Sequence, residues 1–401
     1  MKILFPIMNM PAAAGSSNLY LDLAQELARR GHEVHIIGAL SDAGRTEMRE
    51  AFGCKLLAVK TFRQRGVKNI FRKGFAHAAL PWQFKRAYDR FYGDTQFDVV
   101  FMPTPPITLV NFVEHVMHRS GAKFYLILRD IHPQEAVDLG LMKGRLMYNY
   151  LRRLEKKTYR LADLIGCMSP GNVDYILRHN PEVEAQKLVL LPNWQKEVHF
   201  DAPRANEELK KAYGLAGKFV ILFGGTIGYA QKVENIVDLA TYCARYDDVR
   251  IVVIGQGVKK KHLQTLVEEQ KLENVLFFDT LPRDEYLKFA RSADVGLITI
   301  DERFTVPTIP SKTVSYFNLS LPVLAVIDPH TDYPRMLEEA DAGLWSLGGD
   351  KQGLSENFET YYRDRELCDR MGRNGYDYFI KNLTVGKACD TVLAQIAELG
   401  H

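Results

Sequence analysis

The sequence contains few cysteines and no long apolar run. Its five cysteines are odd in number, widely spaced and never arranged as CxxC: Cys54, Cys167, Cys243, Cys368 and Cys389. This pattern indicates neither a disulfide framework nor a zinc site, so a reducing cytosol is expected. No stretch of about 18 apolar residues occurs, and the N-terminus lacks the length and cleavage site of a signal peptide. We therefore expect a soluble protein that at most rests on a membrane surface.

Other absences narrow the functional class. No GxSxG elbow occurs, so a serine hydrolase is not indicated. The net charge is only +3, but it is unevenly divided, because residues 1–200 carry +9 and residues 201–401 carry −6. The two halves therefore have different electrostatic surroundings. With 401 residues, 46% of them hydrophobic, the chain is long enough for two or three packed domains.

Apolar strand-like runs alternate with amphipathic helical stretches along the whole chain. This alternation is typical of parallel sheets wrapped by helices, and the rhythm restarts after Leu190–Trp194. The sequence thus predicts an α/β protein of two doubly wound domains, residues 1–195 and 200–374. The last segment, about 375–401, is predicted to be helical and could pack back on the first domain.

The segment Pro310–Tyr316 precedes a buried strand run, Leu321–Val326, and places Lys312 at the start of a short helix. The first turn of a helix offers free backbone N–H groups and a partial positive charge, and the lysine adds a full one. This arrangement favours binding of a diphosphate. The alternative is that Pro310 merely starts the helix and that Lys312 is a solvated surface residue.

A glycine-bearing loop, Gly224–Lys232, follows the predicted strand Phe219–Phe223. Its three glycines permit a tight turn and a close approach of the backbone to a ligand. Gln231 and Lys232 can reach a phosphate or a sugar hydroxyl, although Lys232 could instead be an exposed lysine at a helix start. Because Lys312 is predicted at the same edge of the same sheet, phosphate binding accounts better for the two lysines together.

The first strand of the chain leads into a loop of small residues, Pro11–Asn18, with Gly15 at its centre. Small residues let a ligand approach the backbone, and Ser16, Ser17 or Asn18 can cap the helix that follows. The loop is not a GxGxxG fingerprint. It could simply need flexible residues, but binding crevices in such sheets lie outside the carboxyl ends of the strands.

A second loop of the first half follows the predicted strand Phe124–Leu128 and is strongly polar. Arg129, Asp130, His132 and Glu135 lie there, where ligands are usually met in a parallel sheet. These side chains could contact an acceptor hydroxyl or a sugar. The alternative is that the arginine and the aspartate pair with each other or cap the next helix.

Residues 60–90 combine nine basic residues with six large aromatic ones and a single acid, Asp89. Such a composition suits an anionic membrane surface, where each cation contributes about 1 kcal/mol close to the lipid. Nucleic acid is not expected as a partner, because no recognisable nucleic-acid module accompanies the charges. A solvated basic face is the alternative.

Taken together, these segments resemble the retaining nucleotide-sugar glycosyltransferases of family 4, which have the GT-B fold. More narrowly, the sequence resembles the bacterial surface-polysaccharide branch, of the N-acetylfucosaminyl and colanic-acid type. The resemblance spans nearly the whole chain in the family's order. The matching segments are the loop around Gly15, Arg29–Val34, Arg129–Pro133, Leu191–Trp194, Gly224–Gln231 and Pro310–Lys312.

The resemblance implies two Rossmann-like domains facing across a cleft, with a role for each matched position. It implies a catalytic set at the first polar loop and a donor-binding set mostly in the second domain. The implied catalytic residues are Arg129, Asp130 and His132. The implied donor-binding residues are Gly15, Gly225, Thr226, Gln231, Lys232, Ser311, Lys312 and Ser315. Ser315 departs from the family, which places there a glutamate that holds the nucleotide ribose. The first glutamate of the usual acid pair is also missing, and its place falls near Pro307.

The expected function is transfer of a hexosyl or N-acetylhexosaminyl group from a nucleotide-sugar, UDP-linked by expectation, to a lipid-linked or growing glycan, with retention of configuration. No metal or other cofactor is expected, provided that backbone amides and Lys312 offset the diphosphate charge. The enzyme would act in the cytoplasm, at the inner face of the cell membrane. The main alternative, suggested by Ser315, is a catalytically silent GT-B subunit that scaffolds polysaccharide assembly; an epimerase or phosphorylase of similar fold is a more distant one.

Overall fold

The computed structural model describes residues 1–8, 10, 18–40, 44–62, 70–199 and 207–399, with only the backbone given for 70–75 and 77. The chain divides into two compact units. The first comprises Met1–Trp194 together with Val385–His401, and the second comprises Gln195–Thr384. Each unit has its own sheet and its own hydrophobic core.

The first unit is built on a mostly parallel sheet. Its described strands run in the order β3-β4-β2-β1-β5-β6-β7-β8, and only the edge pair β3–β4 is antiparallel. The central strands β1 and β5 are buried at every position except Lys2, which accounts for their nearly unbroken apolar sequence. The strands are β1 Lys2–Ile7, β2 Glu33–Leu40, β3 Glu47–Ala51, β4 Cys54–Lys60, β5 Val99–Pro103, β6 Lys123–Ile127, β7 Leu164–Cys167 and β8 Leu188–Leu190.

Helices cover both faces of this sheet. The segment after β1 enters its helix through Asn18, whose side chain accepts a hydrogen bond from the Leu21 amide at 2.9 Å and so caps the first turn. The helices are α1 Leu19–Arg29, α2 Ile70–Phe91, α3 Val110–Ser120, α4 Gln134–Asp138, α5 Arg145–Leu161, α6 Pro170–His179 and, from the end of the chain, α15 Val385–Glu398.

The last helix, α15, is part of the first unit. Cys389 and Val392 lie in the same buried cluster as the β1 side chains. The Tyr125 hydroxyl donates to Gln395 Oε1 at 2.6 Å, and Arg30 is paired with Asp390. The sequence predicted one helical segment here, whereas the structure has two helices separated near Leu383, which is itself buried. The break lets the earlier helix remain in the second unit.

The second unit is an entirely parallel sheet among the residues described, in the order β11-β10-β9-β12-β13-β14. The chain leaves β9 toward β11 and then returns to the other side of β9 with β12, which makes a topological switch point at that place. Its strands are β9 Phe219–Gly224, β10 Val249–Ile254, β11 Val275–Phe278, β12 Val295–Thr299, β13 Val323–Ile327 and β14 Gly343–Leu347. Its helices are α7 Glu207–Ala212, α8 Glu234–Cys243, α9 Lys260–Glu269, α10 Arg283–Ser292, α11 Ser311–Asn318, α12 Tyr333–Ala340, α13 Lys351–Arg363 and α14 Arg365–Asn382.

A buried ion pair fixes the amino end of this second sheet. Lys210 is 3% exposed, and its Nζ lies 2.9 Å from Asp294 Oδ2 and 3.0 Å from the Lys218 carbonyl oxygen. The same carboxylate accepts a hydrogen bond from the Val220 amide at 2.7 Å. Arg365 approaches its other oxygen at 3.3 Å. The network therefore joins α7, β9, β12 and α14 at the edge opposite the strands' carboxyl ends.

The prediction of two parallel-sheet domains wrapped by helices is confirmed. None of the described helices is both long and apolar enough to cross a membrane. The antiparallel edge strand β3 was not predicted, because its sequence Glu47–Ala51 is mostly polar, contains no buried residue and carries no buried-strand signal.

Candidate active site

A cavity of about 500 Å³ lies at the carboxyl edge of the second sheet. It is formed where β9 and β10 end, beside the loop after β11 and the first turns of α10 and α11. Its lining includes two basic side chains, Arg283 and Lys312, and no aspartate or glutamate among the described residues around it. The lining residues are Gly224, Gly225, Thr226, Ile254, Gly255, Gln256, Thr280, Leu281, Arg283, Tyr286, Ser311, Lys312, Ser315 and Tyr316.

Two glycines allow the loops of the cavity to lie against each other. Gly225 has φ +107° and Gly255 has φ +150°, conformations that side chains with a Cβ rarely adopt. A Cβ on Gly255 would lie 1.9 Å from the Gly225 carbonyl oxygen, so the loops after β9 and β10 could not approach as they do. The glycines therefore shape the cavity floor, as the sequence predicted for the first of them.

Lys312 lies against that floor. Its Cε lies 3.2 Å from where a Cβ on Gly225 would stand, and its Nζ lies 4.4 Å from the Phe223 ring centroid. The nearest acceptor is the Thr226 carbonyl oxygen, at 3.4 Å from Nζ. Surrounding protein atoms desolvate the ammonium group, which lowers the pKa of Lys312 to about 8. A cation held in this way is ready to receive an anion.

The helix behind Lys312 adds to this positive potential. α11 begins at Ser311, and the residue before it, Pro310, provides no side-chain cap. The first-turn amides of such a helix remain available to a ligand at the positive end of its dipole. Ser311 and Ser315 line the cavity on the same helix as Lys312 and can donate hydroxyl hydrogen bonds.

Two tyrosines define the cavity wall. The Tyr316 hydroxyl accepts a hydrogen bond from the Gly224 amide and donates toward the Leu222 carbonyl oxygen, both at 3.1 Å, which fixes α11 to the end of β9. The Tyr286 hydroxyl lies against Gly224, where a Cβ would be only 2.1 Å away. Burial raises the pKa of Tyr286 to about 12, so this hydroxyl stays protonated and can donate a hydrogen bond at neutral pH.

The structure brings five of the predicted donor-binding residues to this cavity, but not all of them. Those that line it are Gly225, Thr226, Ser311, Lys312 and Ser315. Gln231 instead accepts a hydrogen bond from the Gly228 amide at 2.9 Å and so braces the glycine loop. Lys232 pairs with Glu302 at 2.6 Å, and neither residue is part of the lining. Gly15 lies outside the described residues.

Arg283, Tyr286, Thr280 and Gln256 also line the cavity, and sequence reasoning did not select them. The glycines on either side of Gln256, Gly255 and Gly257, follow β10 directly and were a usable signal of a close backbone approach. The residues of α10 carried none, because the helix is an ordinary amphipathic one, with one face buried and the other exposed.

In the first unit, the segment from Asp130 to Glu135, which is the loop after β6 and the first turn of α4, holds three titratable side chains close together. His132 Nδ1 lies 3.6 Å from Glu135 Oε2, and the other oxygen of Glu135 accepts a hydrogen bond from the Ile131 amide at 2.8 Å. Burial raises the pKa of Asp130 and raises that of Glu135 well above its ordinary range, with Asp130 adding a like-charge contribution to the latter. Burial also lowers the pKa of His132, which is therefore neutral at pH 7. A neutral histidine can accept a hydrogen bond or a proton from a hydroxyl.

Arg129 occupies a different position from its neighbours in this loop. Its side chain is buried and donates to the carbonyl oxygens of Leu191, at 2.9 Å, and Leu128, at 3.2 Å. Its guanidinium lies 4.8 Å from the Trp194 ring centroid. These contacts hold the last residues of the first unit before the chain passes into the second, so they favour a positioning role over contact with substrate.

The described residues include no group of three or more histidine, cysteine, aspartate or glutamate side chains arranged to hold a metal ion.

Two known protein families match the sequence of this chain. The glycosyl transferase 4-like domain family matches residues 15–194, and the glycosyl transferases group 1 family matches residues 205–378. The chain is a family 4 glycosyltransferase. The cavity at Lys312 lies within the group 1 region, and the Asp130–Glu135 loop lies within the 4-like region.

Curated relatives agree with this assignment. The glycosyltransferase is 27% identical to the "Probable glycosyltransferase WbjE" of Pseudomonas aeruginosa. That match covers 70% of this chain and 67% of the relative. It is 22% identical to WcaI of Escherichia coli, which is named for colanic acid biosynthesis, and the match covers 84% of this chain and 86% of WcaI. A third relative is a Campylobacter jejuni N-acetylgalactosaminyltransferase named for a diphospho-undecaprenol acceptor. It is 23% identical, and the match covers 59% of this chain and 60% of the relative.

Solved structures show that the fold of the glycosyltransferase is GT-B. Sucrose-phosphate synthase from Thermosynechococcus elongatus matches with a TM-score of 0.76 at 16% identity, over 100% of this chain and 99% of the other. Anabaena HepE, solved in complex with UDP and glucose, matches with a TM-score of 0.70 at 14% identity, over 99% of each chain.

Proposed function

We propose that this glycosyltransferase moves a hexosyl or N-acetylhexosaminyl group from a nucleotide-sugar to a lipid-linked or growing surface-polysaccharide acceptor, with retention of configuration. The observation that carries the proposal is Lys312, a desolvated cation beside the uncapped start of α11 in a cavity lined by no acid among the described residues. A nucleotide-sugar diphosphate fits this charge.

The donor would be bound mainly through its diphosphate. As the sugar leaves, negative charge grows on the departing phosphate, and Lys312 together with the α11 amides stabilises it. Because these groups can offset the charge, we propose that no divalent metal is required. A UDP-linked donor is supported by the structural likeness to HepE, which was solved with UDP.

The acceptor is proposed to be lipid-linked, as in the name of the Campylobacter relative. Its hydroxyl would bind at the Asp130–Glu135 loop, where a carboxylate with a raised pKa can accept the hydroxyl hydrogen. The notion of a polysaccharide product is supported by the likeness to WcaI.

Membrane contact through residues 60–90 at the inner face of the cell membrane also stays a proposal. In the part of this segment that the structure describes, Trp82 is 58% exposed and Arg86 lies 5.8 Å from the centroid of its ring. Arg63, Arg65 and Lys68 lie outside the described residues.

The second candidate function, a catalytically silent scaffold, is favoured by one observation. Ser315 lines the cavity where an acid would otherwise hold the ribose, so the nucleoside has no carboxylate partner among the lining residues. A panel of nucleotide-sugars in a thermal-shift assay separates the two functions when it is followed by an assay for slow hydrolysis of each stabilising donor. We expect at least one donor to raise the melting temperature and to be hydrolysed. Stabilisation without hydrolysis or transfer, across all donors and acceptors tried, would favour the scaffold.

Ser315→Glu is expected to weaken nucleotide binding. Ser315 and Lys312 are three residues apart on α11, so a glutamate would be a neighbour of the lysine and would compete with the diphosphate for it. Ser315→Gln, a variant of the same size without charge, is the matched control and should lose less affinity. Titration calorimetry with UDP measures both. Tighter binding by the glutamate variant would mean that the cavity still follows the acid-dependent family pattern.

A further inference from the structure

The surface formed by Leu141–Arg153 exposes an unusual amount of apolar side chain. It consists of the loop before α5 and the first turns of that helix. Leu146 is 88% exposed, Met147 55%, Leu141 52% and Tyr150 49%. Four large apolar side chains within ten residues form a patch of the kind that marks an interaction site, whereas exposed apolar residues scattered singly are normal.

The same surface is positively charged. No acidic residue occurs between Asp138 and Glu155. Of the basic residues in between, Arg152 pairs with Glu155 at 2.6 Å, while Lys143, Arg145 and Arg153 are exposed and make no ion pair with the residues that the structure describes. Three uncompensated cations therefore surround the apolar side chains.

The exposure does not reflect a poorly packed helix. The second half of α5 packs through one face, with Leu154, Thr158 and Tyr159 buried in the first unit. In the first turns, by contrast, the exposed side chains are apolar or basic, apart from Asn149. Their exposure is thus local to the start of the helix.

The surface lies at the carboxyl edge of the first unit's sheet. β6 ends at Ile127, and α5 runs back from this carboxyl edge to the start of β7 at Leu164. The beginning of α5 is therefore at the same edge as the Asp130–Glu135 loop, with only the short helix α4 between them in sequence. A ligand bound at the start of α5 and a ligand bound at the Asp130–Glu135 loop are therefore on the same side of the unit.

We propose that the Leu141–Arg153 surface docks on an anionic lipid surface, with the apolar side chains entering the interfacial layer and the three cations contacting the headgroups. Apolar and basic residues at the start of a helix are the combination that such surfaces bind. A second copy of the chain is disfavoured as the occupant, because a two-fold contact would bring the same cations face to face.

This inference goes beyond the proposed transfer reaction and identifies a contact distinct from residues 60–90. Only the role of this docking surface rests on the proposed function: it would bring the Asp130–Glu135 loop to a lipid-linked acceptor. Vesicle binding requires neither donor nor acceptor, so a failure of the docking proposal is distinguishable from a failure of the transferase proposal.

The test uses the full chain with a single surface label. All five native cysteines are buried, so Leu146→Cys can be labelled selectively with an environment-sensitive dye. Vesicles of phosphatidylcholine with phosphatidylglycerol should shift its emission to the blue, whereas phosphatidylcholine alone should not. Val258→Cys, at a site 70% exposed in the second unit, is the matched control and should not respond. Trp82→Cys reports separately on residues 60–90.

Unlabelled variants measure the contribution to binding. Replacing Leu146, Met147 and Tyr150 together by serine should weaken flotation with anionic vesicles by about tenfold or more, and replacing Lys143, Arg145 and Arg153 by glutamine should do the same. Glutamine at the exposed residues Lys211, Lys261 and Lys288 is the charge-matched control. Melting temperatures should be unchanged, because the substituted side chains are exposed.

Several outcomes would overturn the proposal. One is equal binding to neutral and anionic vesicles, and another is a response at Trp82→Cys with none at Leu146→Cys. Absence of vesicle binding by the unmodified protein would also do so. A fall in sedimenting mass on serine substitution, with vesicle binding intact, would assign the surface to self-association instead.

Discussion

Lys312→Met is expected to weaken binding of a nucleotide-sugar by about 1.5–3 kcal/mol, or roughly 10- to 150-fold, the usual worth of a hydrogen bond to a charged group. The substitution keeps the length of the side chain and its packing on Phe223 while it removes the charge. Folding should be spared, because the ammonium group makes no ion pair with a described residue. Titration calorimetry gives the affinity, and a thermal melt without ligand gives the stability.

The same lysine gives the binding a characteristic pH dependence. In the free protein its pKa is about 8, so it is charged below that pH and increasingly neutral above it. A bound diphosphate favours the charged form, and binding therefore takes up a proton as the pH rises above 8. Affinity for a nucleotide-sugar, whose diphosphate diester keeps its charge in this range, should fall from pH 8 upward.

Lys288→Met, at an exposed position of α10, is the control for this prediction and should bind like the unmodified protein. Lys312→Met itself should lose the pH dependence above pH 8 along with the affinity. If it binds the nucleotide-sugar as tightly as the unmodified protein does, the diphosphate lies elsewhere.

Lys210→Met is expected to lower the free energy of unfolding by about 3 kcal/mol, the largest effect on stability that we predict. It leaves the buried Asp294 carboxylate without its closest cation, and removing one partner of a buried pair is more costly than removing both. Arg365, at 3.3 Å, offsets part of the loss. Denaturant unfolding followed by circular dichroism measures the change.

Two variants make this stability prediction specific. Lys210→Met combined with Asp294→Asn should recover part of the lost stability, because the stranded charge is removed as well. Lys351→Met breaks an exposed pair with Asp238 and should cost less than about 1 kcal/mol. Equal losses for the two lysine variants would show that the Lys210 network contributes no more than a surface pair.

The sequence predicted the two parallel sheets well because their central strands are buried on both faces. Phe219–Phe223 is apolar at every position and Val249–Ile254 is apolar at every position except Arg250, so no amphipathic pattern competes with that signal. The edge strand β3 and the division of the last helical segment near Leu383 were not predicted. β3 forms a tight hairpin with the next strand, β4, but its polar sequence gives no buried-strand signal. The division near Leu383 depends on packing of α15 against residues far away in sequence, which local patterns do not contain.

The candidate site was predictable where backbone geometry requires a residue type. Gly225 lies where only a glycine is easily accommodated, and Lys312 follows a proline at a helix start, so both positions left a mark in the sequence. Tyr286 and Arg283 reach the cavity because α10 leads from the edge strand β11 back to β12, past β10 and β9 in the sheet order. Arg129 shows the opposite case, since it stands in a site-like motif but donates to backbone carbonyl oxygens.

The most direct test of the proposed function is to follow sugar transfer from an α-linked nucleotide-sugar to a polyprenyl diphosphate-linked glycan by the purified protein. We predict a glycan product whose new linkage is α by NMR, formed by the unmodified protein and strongly reduced in Lys312→Met. A β-linked product would contradict retention. Transfer that is unaffected by Lys312→Met would contradict the assignment of the donor diphosphate to the cavity at α11.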